Sequence, residues 1–377
     1  MTEKIPVGIL GATGMVGQKY ISLLENHPWF SVNYVAASPE SAGKKYSDAV
    51  SGRWHMQKDI PNGVEKLVVG NANDFNSAID KCAFVFSALE LKDKKQLMTL
   101  EEEYARAGFP VVSNASAHRW TEDVPMIIPE INPEHTDIIR DQQKNHGFNK
   151  GFIVVKPNCS IQSYLTPVYA LINQGYDVSR LFITTMQAAS GAGHPGVSSL
   201  DLIDNVIPYI GGEEEKTEKE PLKILGQIEN GRFVNYNKLE ISAHCNRVPV
   251  YDGHTACVSL ELRSKIGITP PYTSQIIEKP YIDLDYFIKI WNNFRSVPQE
   301  LELPSAPKRP IIYKTENDRP QPRKDRDLEN GMAVCVGRLR RDPVFDIKFV
   351  GLSHNTVRGA AGGGILNAEL LKAKGYI

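Results

Sequence analysis

Short apolar runs alternate with amphipathic stretches up to about residue 157, and the alternation changes character beyond it. "VGIL" leads into a stretch with Val16, Tyr20 and Leu24 at spacings of four, which is helical, and then into "FSVNYVAAS", a second strand. The pattern continues through "AFVFSAL", a helix near 92–107, "FPVVSNA", a helix near 134–145, and "GFIVVK". Such alternation predicts a parallel sheet with helices on both faces. After 157 come "LFITTMQAAS", "LEISAHCNRVPV", "HTACVSLEL", "MAVCVGRLRR" and "FDIKFVGLSH", which read as antiparallel strands, with Asp252-Gly253 as a hairpin turn between the second and third. A Pro-rich connector over 303–327 reads as an ordered surface strap rather than a helix, and "NTVRGAAGGGILNAELLKAKGYI" as a Gly-opened helix that returns to the first domain.

Composition narrows the partners. A chain of 377 residues suits two domains. Its formal net charge is -1, with basic residues scattered, so there is no electrostatic footprint for nucleic acid or for an anionic membrane. The N-terminus enters a strand within a few residues and no window approaches the ~18 apolar residues of a membrane span. The expectation is a soluble, unprocessed protein. Five cysteines without a CxxC pair argue against a disulfide framework and for a reducing compartment, the cytoplasm.

"GATGMVGQ" sets Gly11, Gly14 and Gly17 between the first strand and the first helix, where backbone must approach a pyrophosphate. The second strand ends at Ser38, with Ser41, Lys44 and Lys45 behind it, where an NAD enzyme carries an acidic residue; hydroxyls and ammonium groups suit a 2′-phosphate, while Glu40 on an NAD ribose is the alternative. In "KPNCSIQS", Ile161, Leu165, Val168 and Ile172 follow Cys159 at helical spacing. That places Cys159 in a first turn with Asn158 as N-cap, where free amides lower a thiol pKa, and Pro167 must kink or restart the helix. A buried structural thiol remains open on these grounds, and the other four cysteines read as core.

A two-residue hairpin at 252–253 would point Arg247 and His254 the same way, roughly 13 Å apart, flanking a small substrate without touching. It would also put His244 with Cys257 on one face and Cys245 with His254 on the other, which excludes a tetrahedral metal site there. Pro221 suits a helix N1 position, so Glu220 and Lys223 lie three apart on one helical face. "QAASGAGHPG" brings Gln187 and flexible backbone after a strand, and Arg119 follows a strand end.

These pieces, "GATGMVGQ", "SNASAHR", "PNC", "QAASGAGHPG", Glu-x-x-Lys at 220–223, Arg247 with His254, "RPQPR" and "NTVRGAAGG", occur in an order that resembles the aspartate-β-semialdehyde dehydrogenases, closest to the archaeal and fungal branch. Ile161 departs from the Ser-Thr usual after the family's cysteine. The resemblance implies that Cys159 is the acyl-accepting nucleophile, His254 the general acid/base and Gln187 the group that positions substrate and water. It implies that Arg247 holds the α-carboxylate, Glu220 the amino group, and Arg119 with Lys223 the phosphate, with Asn158 beside them.

The expected cofactor is NADP, on Gly11, Thr13, Gly14, Met15, Val16, Ser38, Ser41, Ser87, Ser190, Gly191 and Asn355. The implied reaction is NADPH-dependent reduction of 4-phospho-L-aspartate to L-aspartate-4-semialdehyde in amino-acid biosynthesis. The implied assembly is a homodimer, or such dimers paired as a tetramer. Malonyl-CoA reductase, N-acetyl-γ-glutamyl-phosphate reductase and a non-catalytic NADP-binding regulator are the alternatives. The expected fold is α/β: a Rossmann-type domain over 1–157, a catalytic and dimerisation domain over 158–354 on a largely antiparallel sheet, and a C-terminal helix over 355–377 that returns to the first domain.

Overall fold

The computed structural model describes residues 3–263 and 282–377. Six parallel strands, β1 (Ile5–Leu10), β2 (Phe30–Ala37), β3 (Gly70–Asn71), β4 (Phe84–Ser87), β5 (Pro110–Ser113) and β6 (Phe152–Val155), form the first sheet in the order β3-β2-β1-β4-β5-β6. Strands β4, β5 and β6 are buried at every position, as expected of a parallel sheet covered on both faces. Strand order reverses between β1 and β4, the place where an open sheet of this kind receives ligands at its carboxyl edge. Gly11 turns the chain there with φ +76°, and a Cβ on it would lie 2.5 Å from the Ala88 carbonyl oxygen. A Cβ on Gly17 would lie 2.3 Å from the Gly11 oxygen, so the helix Met15–Leu24 can start hard against the strand end.

The second sheet is mixed. Its strands are β7 (Val178–Gln187), β10 (Glu240–Arg247), β11 (His254–Leu262), β12 (Ile311–Lys314), β13 (Val334–Arg341) and β14 (Ile347–Ser353), in the order β10-β7-β11-β14-β13-β12; β8 (Gln227–Glu229) and β9 (Arg232–Val234) make a separate ribbon. The expected hairpin at Asp252-Gly253 does not form, because β7 lies between β10 and β11, parallel to one and antiparallel to the other. The amide of Val248 donates to the Gln187 carbonyl, and the amides of Ala189 and Ser190 donate to the carbonyls of Val250 and Tyr251. These bonds carry the chain across the end of β7. The inferred facing survives for a different reason: His244 and Cys257 both pair with Thr184 and face solvent, while Cys245 and His254 are buried. Cys257 is accordingly exposed and not a core residue. The Pro-rich connector also does more than strap the surface, since its Ile311 and Ile312 are buried in edge strand β12.

The helix Glu213–Ile224 contains Pro221 in its interior, not at its start. Proline leaves the carbonyl four residues back without its helical donor. That carbonyl belongs to Thr217, and the buried Tyr164 hydroxyl donates to it at 3.0 Å. The C-terminal helix Gly362–Ala373 packs Ile365, Leu366, Leu370 and Leu371 into the core around Val7, Ile9, Tyr20 and Phe86. Its Glu369 accepts from His27 at 2.7 Å and from the Ser305 hydroxyl at 2.6 Å, clasping the N-terminal lobe to the strap.

Removing the Tyr164 hydroxyl in Tyr164→Phe should cost about 1–3 kcal/mol, the penalty of a stranded buried carbonyl. Adding Pro221→Ala restores the helical donor and should recover most of that loss, as urea unfolding of the single and double variants would report.

Candidate active site

Cys159 stands four residues beyond the end of β6, at the head of a four-residue 3-10 turn, Ser160–Ser163. The Asn158 side-chain oxygen accepts from the Ser160 amide at 2.8 Å and from its hydroxyl at 2.7 Å, so Asn158 fixes the turn as a cap would. The chain restarts as the helix Leu165–Asn173, with Pro167 in its first turn where no amide is missed. A turn this short has little dipole to offer the thiol, and the surroundings oppose ionisation. Burial and then the Glu213 carboxylate push the Cys159 thiol up, while Lys156, Arg119 and Arg247 pull it down. The lowered pKa expected from a helix N-terminus is therefore not what this site supplies.

The crossing of the chain over β7 brings the other groups in. His254 Nε2 lies 3.3 Å from Cys159 Sγ, and its Nδ1 accepts the Ala188 amide at 3.0 Å. In the neutral ring the proton is then on Nε2, facing sulfur. Burial, assisted by Arg247, His354 and Lys156, pushes His254 down to about 3. Arg247 donates from Nη1 to the carbonyl of the same Ala188 at 2.7 Å, so it and His254 converge on one residue instead of standing apart. Gly191 covers both: a Cβ there would lie 2.7 Å from Arg247 Nη1 and 3.0 Å from His254 Cε1. Gln187, at the end of β7, is buried and donates to Glu213 at 3.2 Å.

The Glu-x-x-Lys pair is placed differently from expectation. Glu220 is fully buried; one oxygen accepts Arg119 Nη1 at 2.8 Å and the other the Asn158 amide at 2.7 Å. Lys223 is turned away, its ammonium donating to the carbonyls of Arg119, Thr121 and Val124 at 2.8–2.9 Å, and burial holds it down to about 7. The carboxylate that reaches the centre is Glu213. It accepts from the Asn158 amide group and from Lys216 at 2.8 Å each, and from Gln187. The sequence carried the signal, a second Glu-x-x-Lys at 213–216, seven residues upstream and hence on the same helical face. Lys156, buried beside the nucleophile, had no comparable signal.

The cleft between the lobes is lined by Met15, Val16, Asn114, Cys159, Ser190 and Gly191 among others, with Lys19 at its wall. Gly14, Met15 and Val16 open the first helix onto it, as a pyrophosphate requires, with Gly11 and Thr13 in the turn before. Ser190 and Asn355 bond each other at 2.8 Å, and Asn355 also accepts the Gly253 amide, so they brace the Gly191 loop. Ser87 is fully buried at the end of β4, and its carbonyl accepts the amide of Asn114, which lines the cleft in its stead. Ser38 is exposed, and its hydroxyl is the main cause holding the Glu40 carboxyl below its usual range. Ser41 accepts from Arg53 at 3.2 Å, a guanidinium the sequence reading overlooked. Lys44 and Lys45 follow on the hairpin-like bridge to Val68.

Two family models divide the chain: the semialdehyde dehydrogenase NAD binding domain matches residues 6–139 and the semialdehyde dehydrogenase dimerisation domain residues 168–358. Fold and cleft thus define a two-domain semialdehyde dehydrogenase. The chain is 44% identical to the aspartate-semialdehyde dehydrogenase of Archaeoglobus fulgidus, over 97% of both chains, and 42% identical to that of Schizosaccharomyces pombe, over 98% of this chain and 99% of the relative. It superposes on the crystal structure of the Candida albicans aspartate-semialdehyde dehydrogenase with NADP at a TM-score of 0.84, with 39% identity and full coverage of both chains. The chain belongs to the aspartate-semialdehyde dehydrogenase family.

Since burial and Glu213 raise the Cys159 thiol, its thiolate fraction in the free protein grows only above the ordinary thiol midpoint of about 8.5. Alkylation of Cys159 by iodoacetamide, followed site by site with mass spectrometry, should have its pH midpoint on the alkaline side of that value.

Proposed function

We propose that the protein reduces 4-phospho-L-aspartate to L-aspartate-4-semialdehyde and inorganic phosphate, and runs the reverse reaction when given aldehyde, phosphate and oxidised cofactor. The observation that carries this reading is Cys159 Sγ at 3.3 Å from His254 Nε2, on the floor of the cleft that the nucleotide-binding turn also lines. Cys159 attacks the acyl carbon and phosphate leaves with the bonding pair, which gives a thioester on the sulfur. Bound NADPH supplies the hydride that reduces this thioester. His254, with Nε2–H held toward the reacting carbon, transfers a proton to and from its oxygen as the thiohemiacetal forms and collapses. Gln187, fixed by Glu213, positions the carbonyl, and Arg119 beside Asn158 takes the phosphate.

Two charges choose the substrate. An Arg fork at Arg247 suits the α-carboxylate, and a carboxylate suits the α-ammonium. Glu220, fully buried and ion-paired with Arg119, holds the frame, and Glu213, the carboxylate that acts on Cys159, takes that second part. Ser41 with Arg53, and Ser38 at the strand end, support NADP over NAD, with Glu40 as the opposing charge.

In this reading residues 1–157 with 355–377 hold the cofactor, and 158–354 carry catalysis and dimerisation. The partner is a second copy of the chain, met by the exposed apolar positions Leu200, Ile203, Val206 and Tyr209. No described helix is long and apolar enough to cross a membrane, and we assign the enzyme to the cytoplasm.

Phosphate-dependent NADP reduction with L-aspartate-4-semialdehyde tests the whole. Cys159→Ala should abolish turnover in a folded protein, and Arg247→Leu should reduce kcat/KM by about 2 kcal/mol or more. Glu213→Gln should lower kcat/KM about tenfold or more, whereas Glu220→Gln should chiefly lower Tm by leaving Arg119 unpaired. Efficient NADPH oxidation with malonyl-CoA would move the assignment to another reductase. Arg53→Ala should weaken NADPH more than NADH, and equal kcat/KM for both cofactors in the unmodified protein would overturn the NADP reading.

A further inference from the structure

The cations around Cys159 are mostly committed elsewhere. Arg119 is paired with Glu220 at 2.8 Å, and Arg358, from the turn Val357–Ala361, is paired with Glu130 at 2.8 Å. Among the described residues Arg247 has no carboxylate within ion-pair distance and donates to the Ala188 carbonyl, but it is the group that a substrate carboxylate would occupy. His254 cannot readily become imidazolium, because its Nδ1 is held as an acceptor by the Ala188 amide. The carboxylate that most opposes the thiolate, Glu213, lies on the helix Glu213–Ile224, as does Glu220. Lys156 remains. It is 3% exposed, and among the described residues the one hydrogen bond of its ammonium is to the Pro157 carbonyl at 2.6 Å, with no carboxylate within ion-pair distance.

Packing sets Lys156 alongside Cys159. A Cβ on Gly359 would lie 2.9 Å from Cys159 Cβ, and a Cβ on Gly363 would lie 3.3 Å from Lys156 Cδ and 3.4 Å from Cε. Residues 359 and 363 flank the break at Ala360, where the turn Val357–Ala361 passes into the C-terminal helix, so the nucleophile and the lysine stem pack against two glycines of the same segment. In a low-dielectric interior neither an isolated ammonium nor an isolated thiolate is stable, but each stabilises the other. The two groups are indeed each other's electrostatic neighbours: burial opposes the charge on both, the sulfur is the foremost influence keeping Lys156 charged, and Lys156 is the foremost influence favouring the thiolate.

We propose that Lys156 is the counter-charge of the Cys159 thiolate, a positioning residue that makes the nucleophile available while His254 stays neutral. This rests on Cys159 being the nucleophile, but its test needs no turnover. Iodoacetamide alkylation of Cys159 is measured against pH for the full chain, for Lys156→Met and for Lys156→Arg, with Tm measured for each. The methionine variant should move the midpoint upward by about one unit or more, seen as roughly tenfold slower alkylation at a fixed pH below it. The arginine variant, which keeps the charge, should show no upward shift. A methionine profile superimposed on that of the unmodified protein, or the same upward shift in both variants, would overturn the proposal. If Lys156→Met does not fold, Lys156→Gln carries the same comparison. A failed aldehyde assay with these shifts intact would count against the substrate and not against the counter-charge.

Discussion

One buried carboxylate holds the two lobes in register at the reacting atom. Glu220, on a helix of the second domain, receives Arg119 from beyond β5 and the amide of Asn158, the residue before the nucleophile. Arg119 in turn donates to the carbonyls of Lys156 and Asn114, so one ion pair fixes the exits of two parallel strands and the start of the Cys159 turn. Removing one member of such a pair leaves an uncompensated buried charge, typically about 3–5 kcal/mol of destabilisation. The geometry of Cys159, Asn158 and Asn114 depends on it, which is why Glu220 is a frame residue and not a free ligand.

The same helix shows how a proline can be carried in a helical interior. Pro221 opens one carbonyl, and Tyr164, just after the 3-10 turn of the nucleophile, closes it. The helix can then present Glu213, Thr217, Glu220 and Ile224 as one inward stripe, three of its four members polar. A polar stripe facing inward is unusual for a core helix and marks it as site-building.

Much of this was legible in the sequence, and the losses have identifiable causes. The parallel sheet, the glycine turn and the placing of Cys159 after β6 follow from local periodicity, which the fold respects. The chain bends at Asp252-Gly253, with Gly253 at φ +104°, but the hairpin does not form, because a turn signal does not say which strands its arms will pair with. Pairing with β7 is a long-range choice made by Val248, Val250 and Tyr251, and no local pattern encodes it. Lys223 was misread because spacing gives a face and not a direction: its ammonium found three carbonyls before it could reach the cleft. Lys156 was missed because a lysine at a strand end is ordinarily solvated, whereas here the C-terminal segment, some two hundred residues away, packs Gly363 against its stem.

The clasp between His27 and Glu369 has a consequence for how the chain is made. The first sheet is synthesised by Val155, yet its core includes Ile365, Leu366, Leu370 and Leu371. At ribosomal speeds of about 5–20 residues per second, the sheet waits roughly 10–40 seconds for its covering helix to emerge. Throughout that interval Val7, Ile9 and Phe86 lack their final neighbours, so the nascent N-terminal lobe is the part of this polypeptide most in need of shielding by chaperones.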